Sequence, residues 1–137
     1  MKILYAIQGT GNGHISRARE IVPILQQYGD LDLLISGTQA DVSLSQPIKY
    51  QFHGFSYIFG KKGGIDFWAT YKAMNLRRFW KDMYAIPLED YDIIINDFEP
   101  LTAWACKIKK IKSISLSHQA AFLSAKTPRP KLRDKKA

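Results

Sequence analysis

The chain has 137 residues, 46% of them hydrophobic, and a net charge of +8. This length and apolar content provide the core of one domain and exclude two domains with separate cores. The single cysteine excludes an internal disulfide framework and a multi-cysteine zinc site, which favours a reducing, cytoplasmic environment. No apolar run approaches the roughly 20 residues that a membrane-spanning helix needs.

The positive charge is concentrated at the C-terminal end. Residues 126–137, KTPRPKLRDKKA, contain six of the 20 lysines and arginines and one of the 12 acidic residues, which leaves a net charge of +3 on the other residues. Two prolines, few apolar residues and no periodicity predict a basic, disordered tail behind a folded domain over residues 1–125. A solvated chain end is the simplest interpretation of this tail, and attraction to RNA or anionic lipid is the alternative.

The first half of the chain alternates between predicted strands and a helix. KILYAIQ, residues 2–8, is a short apolar run that ends at a glycine, which predicts a buried strand. LDLLIS (31–36) and IKYQFH (48–53) predict the second and third strands. Residues 14–29 lie between the first two strands and predict a helix. Its apolar face comprises Ile15, Ala18, Ile21, Val22 and Leu25.

The second half of the chain continues the alternation. DFWATYKAMNLRRFWKDMYAI (66–86) predicts one long helix with Asp66 as its N-cap. YDIIIND (91–97) predicts a strand rich in β-branched residues, and EPLTAWACKIKK (99–110) predicts a helix with a proline in its first turn. IKSISLS (111–117) predicts the last strand.

This order of elements predicts an α/β fold with a Rossmann-like parallel sheet and helices on both faces. Ligands of such sheets bind beyond the carboxyl ends of the strands. Three polar segments follow predicted strands, and we expect the site there. They are GTGNGH (9–14), NDFEP (96–100) and SHQAAF (117–122).

The glycine-rich turn GTGNGH predicts an anion site. Glycines let a ligand approach the backbone, and the N–H groups at a helix start attract phosphate. A plain strand–helix turn is the alternative. The dinucleotide fingerprint is incomplete, because His14 stands where its third glycine belongs and the second strand ends without an acidic residue. The Gly-Lys-Ser/Thr ending of a P-loop is also missing. We therefore expect no nicotinamide or flavin cofactor, and no metal, since there is no D-x-D pair or His/Cys cluster.

GTGNGHISRA after the first strand, followed in order by NDFEPLTAWA and ISLSHQAAFLS, resembles the GT-B glycosyltransferases. The likeness is to family 28, the group around the bacterial peptidoglycan enzyme that adds N-acetylglucosamine to a lipid-linked acceptor. The loop of that group reads G-T-G-G-H, and here Asn12 replaces one glycine. The resemblance covers most of residues 1–125. It implies an N-terminal, acceptor-side domain and a C-terminal domain for the nucleotide-sugar donor.

The chain has the length of the N-terminal half of such an architecture. The resemblance therefore implies a truncated chain, or a subunit that pairs with a separate donor-binding protein. The function it implies is transfer of a sugar from a nucleotide-sugar co-substrate to an acceptor hydroxyl once such a partner domain is present. The chain alone is expected to be inactive or nearly so. The alternative is a non-catalytic subunit that regulates or recruits a donor-binding partner.

Two residues are the expected catalytic groups. A neutral histidine at a helix start, His14, or a carboxylate at a strand end, Asp97, can take a proton from an acceptor hydroxyl. We expect the loop residues Gly11, Asn12 and Gly13 to bind substrate through exposed N–H groups. The structural alternative for His14 is a side chain that only packs or caps the turn.

Three further polar residues are candidates for substrate contacts. Glu99 follows Asp97 closely and can bind sugar hydroxyls, or it can cap the helix that begins at the next residue. His118 and Gln119 follow the last strand and are expected to reach the same cleft. Polar residues after a buried strand are common, so a purely structural role is the alternative for both.

The predicted helix over residues 66–86 mixes aromatic residues with lysines and arginines. This mixture suits a membrane interface, as a lipid-linked acceptor would require, and it also suits a core helix with a solvated basic face, which we favour. The expected partners are a sugar acceptor and, in the lipid-linked case, the cytoplasmic face of a membrane through a peripheral contact. No specific nucleic acid is expected, because there is no RNP-type aromatic motif.

Overall fold

The computed structural model describes residues 1–10, 12–37, 44, 46–54, 75–116 and 126. Its centre is a five-stranded sheet in which every strand pair is parallel. The strands are β1 (Lys2–Gln8), β2 (Asp30–Ser36), β3 (Tyr50–Phe52), β4 (Ile93–Asp97) and β5 (Ile114–Ser115).

The strand order is β3-β2-β1-β4-β5, with β1 in the middle. The chain first builds outward through β2 and β3 and then returns to the other side of β1 with β4 and β5. Tyr5 of β1 pairs with Leu33 of β2 on one side and with Ile95 of β4 on the other. This arrangement confirms the predicted Rossmann-like parallel sheet.

Helices pack on both faces of the sheet, as predicted. They are α1 (Asn12–Leu25), α2 (Leu76–Ala85) and α3 (Pro100–Lys109), with a 3-10 turn at Leu88–Asp90. Successive β1 side chains point to opposite faces, and both faces are covered. This explains why β1 reads as a continuous apolar run.

The two faces of β1 contribute to two separate cores. One core contains Ile3, Tyr5 and Ile7 together with the α1 residues Ile15, Ala18 and Val22. The other contains Leu4 and Ala6 together with residues of α2 and α3, including Met83, Leu101 and Ala105. The burial of α1 therefore fixes the position of its N-terminal turn against the sheet.

The edge strands are shorter than predicted. The third strand was expected over residues 48–53 and spans Tyr50–Phe52, and the last was expected over 111–117 and spans Ile114–Ser115. Within the part of the chain that the structure describes, each is bonded to one neighbouring strand. Both residues of β5 are exposed, so little burial supports a longer strand there.

The prediction of one continuous helix over residues 66–86 is wrong at Asn75. This residue has non-helical backbone angles, and its side chain accepts a hydrogen bond from the backbone N–H of Arg78 at 3.0 Å. Asn75 is thus the N-cap of α2, which begins at Leu76. The expected cap at Asp66 lies outside the described residues.

None of the helices in the described ranges is both long enough and apolar enough to span a membrane. The predicted tail over residues 126–137 lies outside the described residues except for Lys126. The division into a domain over residues 1–125 and a tail stays a prediction.

Candidate functional site

The candidate site lies where the strand order of the sheet reverses. β2 continues from one side of β1 and β4 lies on the other, so a crevice opens beyond their carboxyl ends. The register pairs Ile7 of β1 with Asp97 of β4. The glycine-rich turn after β1 and the segment Asp97–Phe98–Glu99 at the carboxyl end of β4 therefore meet at this crevice.

Asp97 is the centre of the site. Its side chain is fully buried, and it accepts hydrogen bonds from two different elements. The Tyr5 hydroxyl of β1 donates to Oδ2 at 3.1 Å. From α1, Nδ1 of His14 lies 2.8 Å from Oδ1, and Arg17 donates to Oδ1 at 3.1 Å. Asp97 therefore links β4, β1 and α1 through one carboxylate.

The contact with Asp97 orients the imidazole of His14. A carboxylate can only accept hydrogen bonds, so Nδ1 carries the proton and Nε2 is the basic nitrogen. The side chain of His14 is 15% exposed, so the ring is held by protein on one side and reachable on the other. This Asp–His pair can remove a proton from a hydroxyl placed at Nε2.

Arg17 balances the charge of the buried carboxylate. Its side chain is 30% exposed and it lies one helical turn beyond His14 on the same face of α1. A buried carboxylate without a cationic partner is costly, so this ion pair helps to retain Asp97 at the site. Burial, with the nearby Asp97 charge and hydrogen bond, raises the pKa of the Tyr5 hydroxyl well above its usual range. Tyr5 therefore remains a hydrogen-bond donor.

Glu99 is the N-cap of α3. Its two carboxylate oxygens accept from the backbone N–H groups of Leu101 and Thr102 at 2.7 and 2.6 Å. The Ser36 hydroxyl, at the end of β2, donates to the same carboxylate at 2.5 Å. Burial raises the pKa of Glu99, against the lowering effect of these hydrogen bonds. The contacts match the capping alternative, and a role in substrate binding stays a prediction.

The described glycines of the turn differ in what they contribute. A Cβ on Gly9 would lie 2.7 Å from Cγ2 of Ile35, so this glycine is required for the close approach of β1 and β2. A Cβ on Gly13 would meet no heavy atom within 4 Å. Gly13 and Asn12 are exposed in the first turn of α1, where N–H groups point towards the crevice end of the helix. Gly11 lies outside the described residues.

Phe98 lies between the buried residues Asp97 and Glu99 but is itself exposed. Its backbone has φ of 58°, in the left-handed region that bulky residues rarely adopt. Phe98 is 46% exposed, and its ring is parallel to that of His14 with a centroid separation of 5.8 Å. The site thus combines a buried polar centre with an exposed aromatic ring.

The structure brings together two of the predicted site residues, His14 and Asp97, in direct contact. His118 and Gln119 lie outside the described residues. Within the described ranges, no three His, Cys, Asp or Glu side chains cluster in a way that would hold a metal ion. The metal-free site and the nucleotide-sugar co-substrate both stay predictions.

Three residues of the site were missed from the sequence. Tyr5 was interpreted as part of a buried apolar strand, although its hydroxyl needs a partner when buried. Arg17 was not part of the predicted apolar face of α1 and was not proposed for the site, although its spacing of three from His14 was a usable signal. Phe98 carried no signal, because its left-handed backbone depends on contacts made across the fold.

Comparisons with known proteins give two matches that cover all or most of the chain. A family model described as Glycosyl transferase family 1 matches residues 1–137. A crystal structure of MurG from Acinetobacter baumannii matches with a TM-score of 0.50 at 15% identity, covering 90% of this chain. The matched region is 38% of the MurG chain, so this chain spans well under half of that structure. This likeness concerns the fold alone. No curated protein matches the chain.

Proposed function

Because the chain belongs to glycosyl transferase family 1, we propose that it forms the acceptor side of an enzyme that transfers a sugar from a nucleotide-sugar to an acceptor hydroxyl. The family match confirms the resemblance to glycosyltransferases. The observation that carries the catalytic part of the proposal is the 2.8 Å contact between Nδ1 of His14 and Oδ1 of Asp97 at the sheet's crevice.

In the proposed reaction, an acceptor hydroxyl oxygen attacks the anomeric carbon of the donor. The new carbon–oxygen bond forms as the bond from that carbon to the diphosphate oxygen breaks, and the nucleoside diphosphate leaves with the electron pair. The hydroxyl proton passes to Nε2 of His14. The hydrogen bond from Nδ1 to Asp97 then stabilises the imidazolium, and Arg17 keeps the buried carboxylate in place.

The first turn of α1 is proposed to face the departing diphosphate. Exposed N–H groups at a helix start favour negative charge, and α1 has no acidic residue in its first turn to oppose it. The open space around Gly13 supports this, since a bound group can approach the backbone there. Gly11 and Asn12 belong to the same proposed contact, with Gly11 outside the described residues.

The donor is proposed to be held by a donor-binding domain or a separate subunit. The nucleotide-sugar is a co-substrate that has to be presented to His14. His118 and Gln119 remain proposed contacts for the acceptor. The expected behaviour is transfer by the assembled enzyme and little or none by this chain in isolation.

The test is an acceptor-dependent transfer assay on protein purified from its source with its natural partners. Release of nucleoside diphosphate would be measured from UDP-N-acetylglucosamine, UDP-glucose and GDP-mannose, with methyl glycosides as acceptors. We expect His14→Ala to lower the transfer rate by about 10²–10⁴-fold, the range that a general base contributes. The matched control is His53→Ala, since His53 is exposed beyond the edge strand β3. An unchanged rate for His14→Ala rejects the proposed base.

The alternative function is that of a non-catalytic subunit, and the same assay separates it. In that case, removal of this chain lowers the partner's transfer rate, whereas His14→Ala leaves it unchanged. A rate that depends on His14 within the complex places the chemistry on this chain.

The sequence favoured a core helix with a solvated basic face for this segment, but the exposed aromatic side chains of α2 lead us to propose a peripheral contact with the cytoplasmic face of a membrane. Leu76, Trp80 and Tyr84 are exposed and follow one another at intervals of four, so they share one helical face. The rings of Trp80 and Tyr84 are stacked with centroids 6.1 Å apart. Arg77 and Lys81 are exposed on the same helix. An aromatic face with flanking cations suits an anionic lipid surface and access to a lipid-linked acceptor.

Vesicle binding tests this contact. We expect the chain to sediment with phosphatidylglycerol vesicles and less with phosphatidylcholine vesicles, and we expect Trp80→Ala to reduce the bound fraction. Tyr28→Ala is the matched control, because Tyr28 is an exposed aromatic residue after α1. Equal binding of the Trp80 variant and the wild type would show that α2 is not the contact.

A further inference from the structure

Phe98 occupies a backbone conformation that its own side chain disfavours. The left-handed region at φ of 58° brings the Cβ atom of an ordinary residue close to a carbonyl oxygen, and an aromatic residue gains no local hydrogen bond there in return. Residues in such conformations persist where the surrounding structure holds them, and they concentrate at functional sites. The outlier therefore raises the question of what the ring does.

The neighbouring residues hold this conformation through a closed set of hydrogen bonds. The Asn96 amide donates to the backbone oxygen of Glu99 at 2.6 Å, and its oxygen accepts from the backbone N–H of Glu99 at 3.1 Å. Glu99 is itself fixed by its bonds to the start of α3 and to Ser36. Asp97 is fixed from the other side by His14. Phe98 is thus held in an exposed position between Asp97 and Glu99, whose side chains are both fixed by hydrogen bonds.

The Phe98 ring is parallel to the imidazole but is not in full face-to-face contact with it. Stacked faces in contact lie about 3.5–4 Å apart. The ring centroids here are 5.8 Å apart, so the imidazole does not cover the phenyl face in close contact. Phe98 is 46% exposed, so an accessible apolar ring lies beside the proposed base.

We infer that Phe98 is an acceptor-binding residue whose ring supports the apolar C–H face of a pyranose and so holds its hydroxyl beside His14. This inference rests on the proposed function. The C–H groups on one face of a pyranose form an apolar patch, whereas its hydroxyls point outward around the ring. An exposed aromatic face binds such a patch and leaves the hydroxyls free to meet polar groups.

The experiment measures glycoside binding and does not depend on catalysis. Saturation-transfer NMR on the full chain would use methyl β-D-glucopyranoside, methyl N-acetyl-β-D-glucosaminide and methyl α-D-mannopyranoside as probes. Phe98→Gly removes the ring and suits the left-handed backbone, so folding is expected to be retained. We expect the dissociation constant of the tightest probe to rise at least about 10-fold in this variant, with recovery in Phe98→Tyr.

Two controls separate binding from a structural effect. Tyr28→Gly removes an exposed aromatic ring elsewhere and should leave glycoside binding unchanged. The C–H resonances of the His14 imidazole should move in Phe98→Gly, because the ring current of the stacked phenyl is lost, and should return towards wild-type positions in Phe98→Tyr.

Several outcomes overturn the inference. They are unchanged glycoside binding by Phe98→Gly, no saturation transfer to any probe in the wild type, and loss of uridine diphosphate binding with glycoside binding intact. The last would assign the ring to the nucleotide. In the transfer assay, Phe98→Gly should raise the acceptor KM with a smaller change in kcat, and a loss confined to kcat also contradicts the inference. The His14→Ala rate reports separately on the proposed function.

Discussion

Replacement of Asp97 tests whether one carboxylate holds the site together. In Asp97→Asn, the amide oxygen can take the Oδ1 position and accept from His14 and Arg17, and the amide nitrogen can donate to the Tyr5 oxygen. The hydrogen-bond geometry can therefore survive while the negative charge is lost. In Asp97→Ala all three donors lose their partner on Asp97.

The expected magnitudes follow from those contacts. Loss of charge assistance in the three hydrogen bonds to Asp97, partly offset by the easier burial of a neutral amide, gives a destabilisation of about 1–2 kcal/mol for Asp97→Asn. Asp97→Ala leaves three donors without this acceptor, at about 1–3 kcal/mol for a buried donor and less for the 30% exposed Arg17, so we expect a cost of about 2–4 kcal/mol. Tyr5→Phe removes a single hydrogen bond and should cost about 1 kcal/mol.

Urea unfolding measures these differences, with the slope m compared among variants to confirm that the same surface is exposed. The expected order of stability is wild type, then Tyr5→Phe and Asp97→Asn, then Asp97→Ala. If Asp97→Ala is less than about 1 kcal/mol below the wild type, the carboxylate does not join the three elements as described.

Three further variants test neighbouring features. Gly13→Ala should stabilise the fold by about 0.5–1 kcal/mol, since the added methyl meets no atom, yet weaken binding of uridine diphosphate measured by calorimetry; stronger or equal nucleotide binding would remove the proposed anion contact. Glu99→Ala should lower the free energy of unfolding in urea by about 2–4 kcal/mol, because two N–H groups and a hydroxyl lose their acceptor; a cost below about 1 kcal/mol contradicts the capping role. Burial raises the pKa of Asp32, but hydrogen bonds from Lys49 and Tyr91 lower it overall. A lowered carboxyl pKa gives stability that is lost as the pH falls through the folded-state value, so between about pH 5 and 3 the wild type should lose more urea resistance than Asp32→Asn; parallel pH curves would argue against this.

The central strands were predictable because burial on both faces leaves a simple pattern. β1 matches its predicted span, and β2 and β4 lie within two residues of theirs. The lengths of the edge strands were overestimated. An edge strand is bonded to one neighbour, and local residue propensities do not indicate whether a strand lies at an edge. The long predicted helix is interrupted at Asn75, where a side-chain cap starts α2, whereas its predicted end lies within one residue of the end of α2.

His14 and Asp97 were each predictable from the sequence as candidate site residues, but their contact with each other was not. His14 follows β1 and Asp97 is the last residue of β4, and this placed both at the same edge of the sheet. Their contact requires β1 and β4 to be neighbours, which the strand order decides. The role of Phe98 depends on the Asn96–Glu99 hydrogen bonds that set its backbone, and these are contacts of the folded chain.

The central claim is that His14 and Asp97 act as one unit in proton removal. The most direct measurement is the acceptor-dependent transfer rate of the assembled enzyme carrying His14→Ala, Asp97→Asn or both changes. The account predicts a loss of about 10²–10⁴-fold for His14→Ala and a large loss for Asp97→Asn, with the double variant no slower than His14→Ala alone. A double variant whose loss equals the product of the two single losses would contradict it, as would wild-type rates in either single variant.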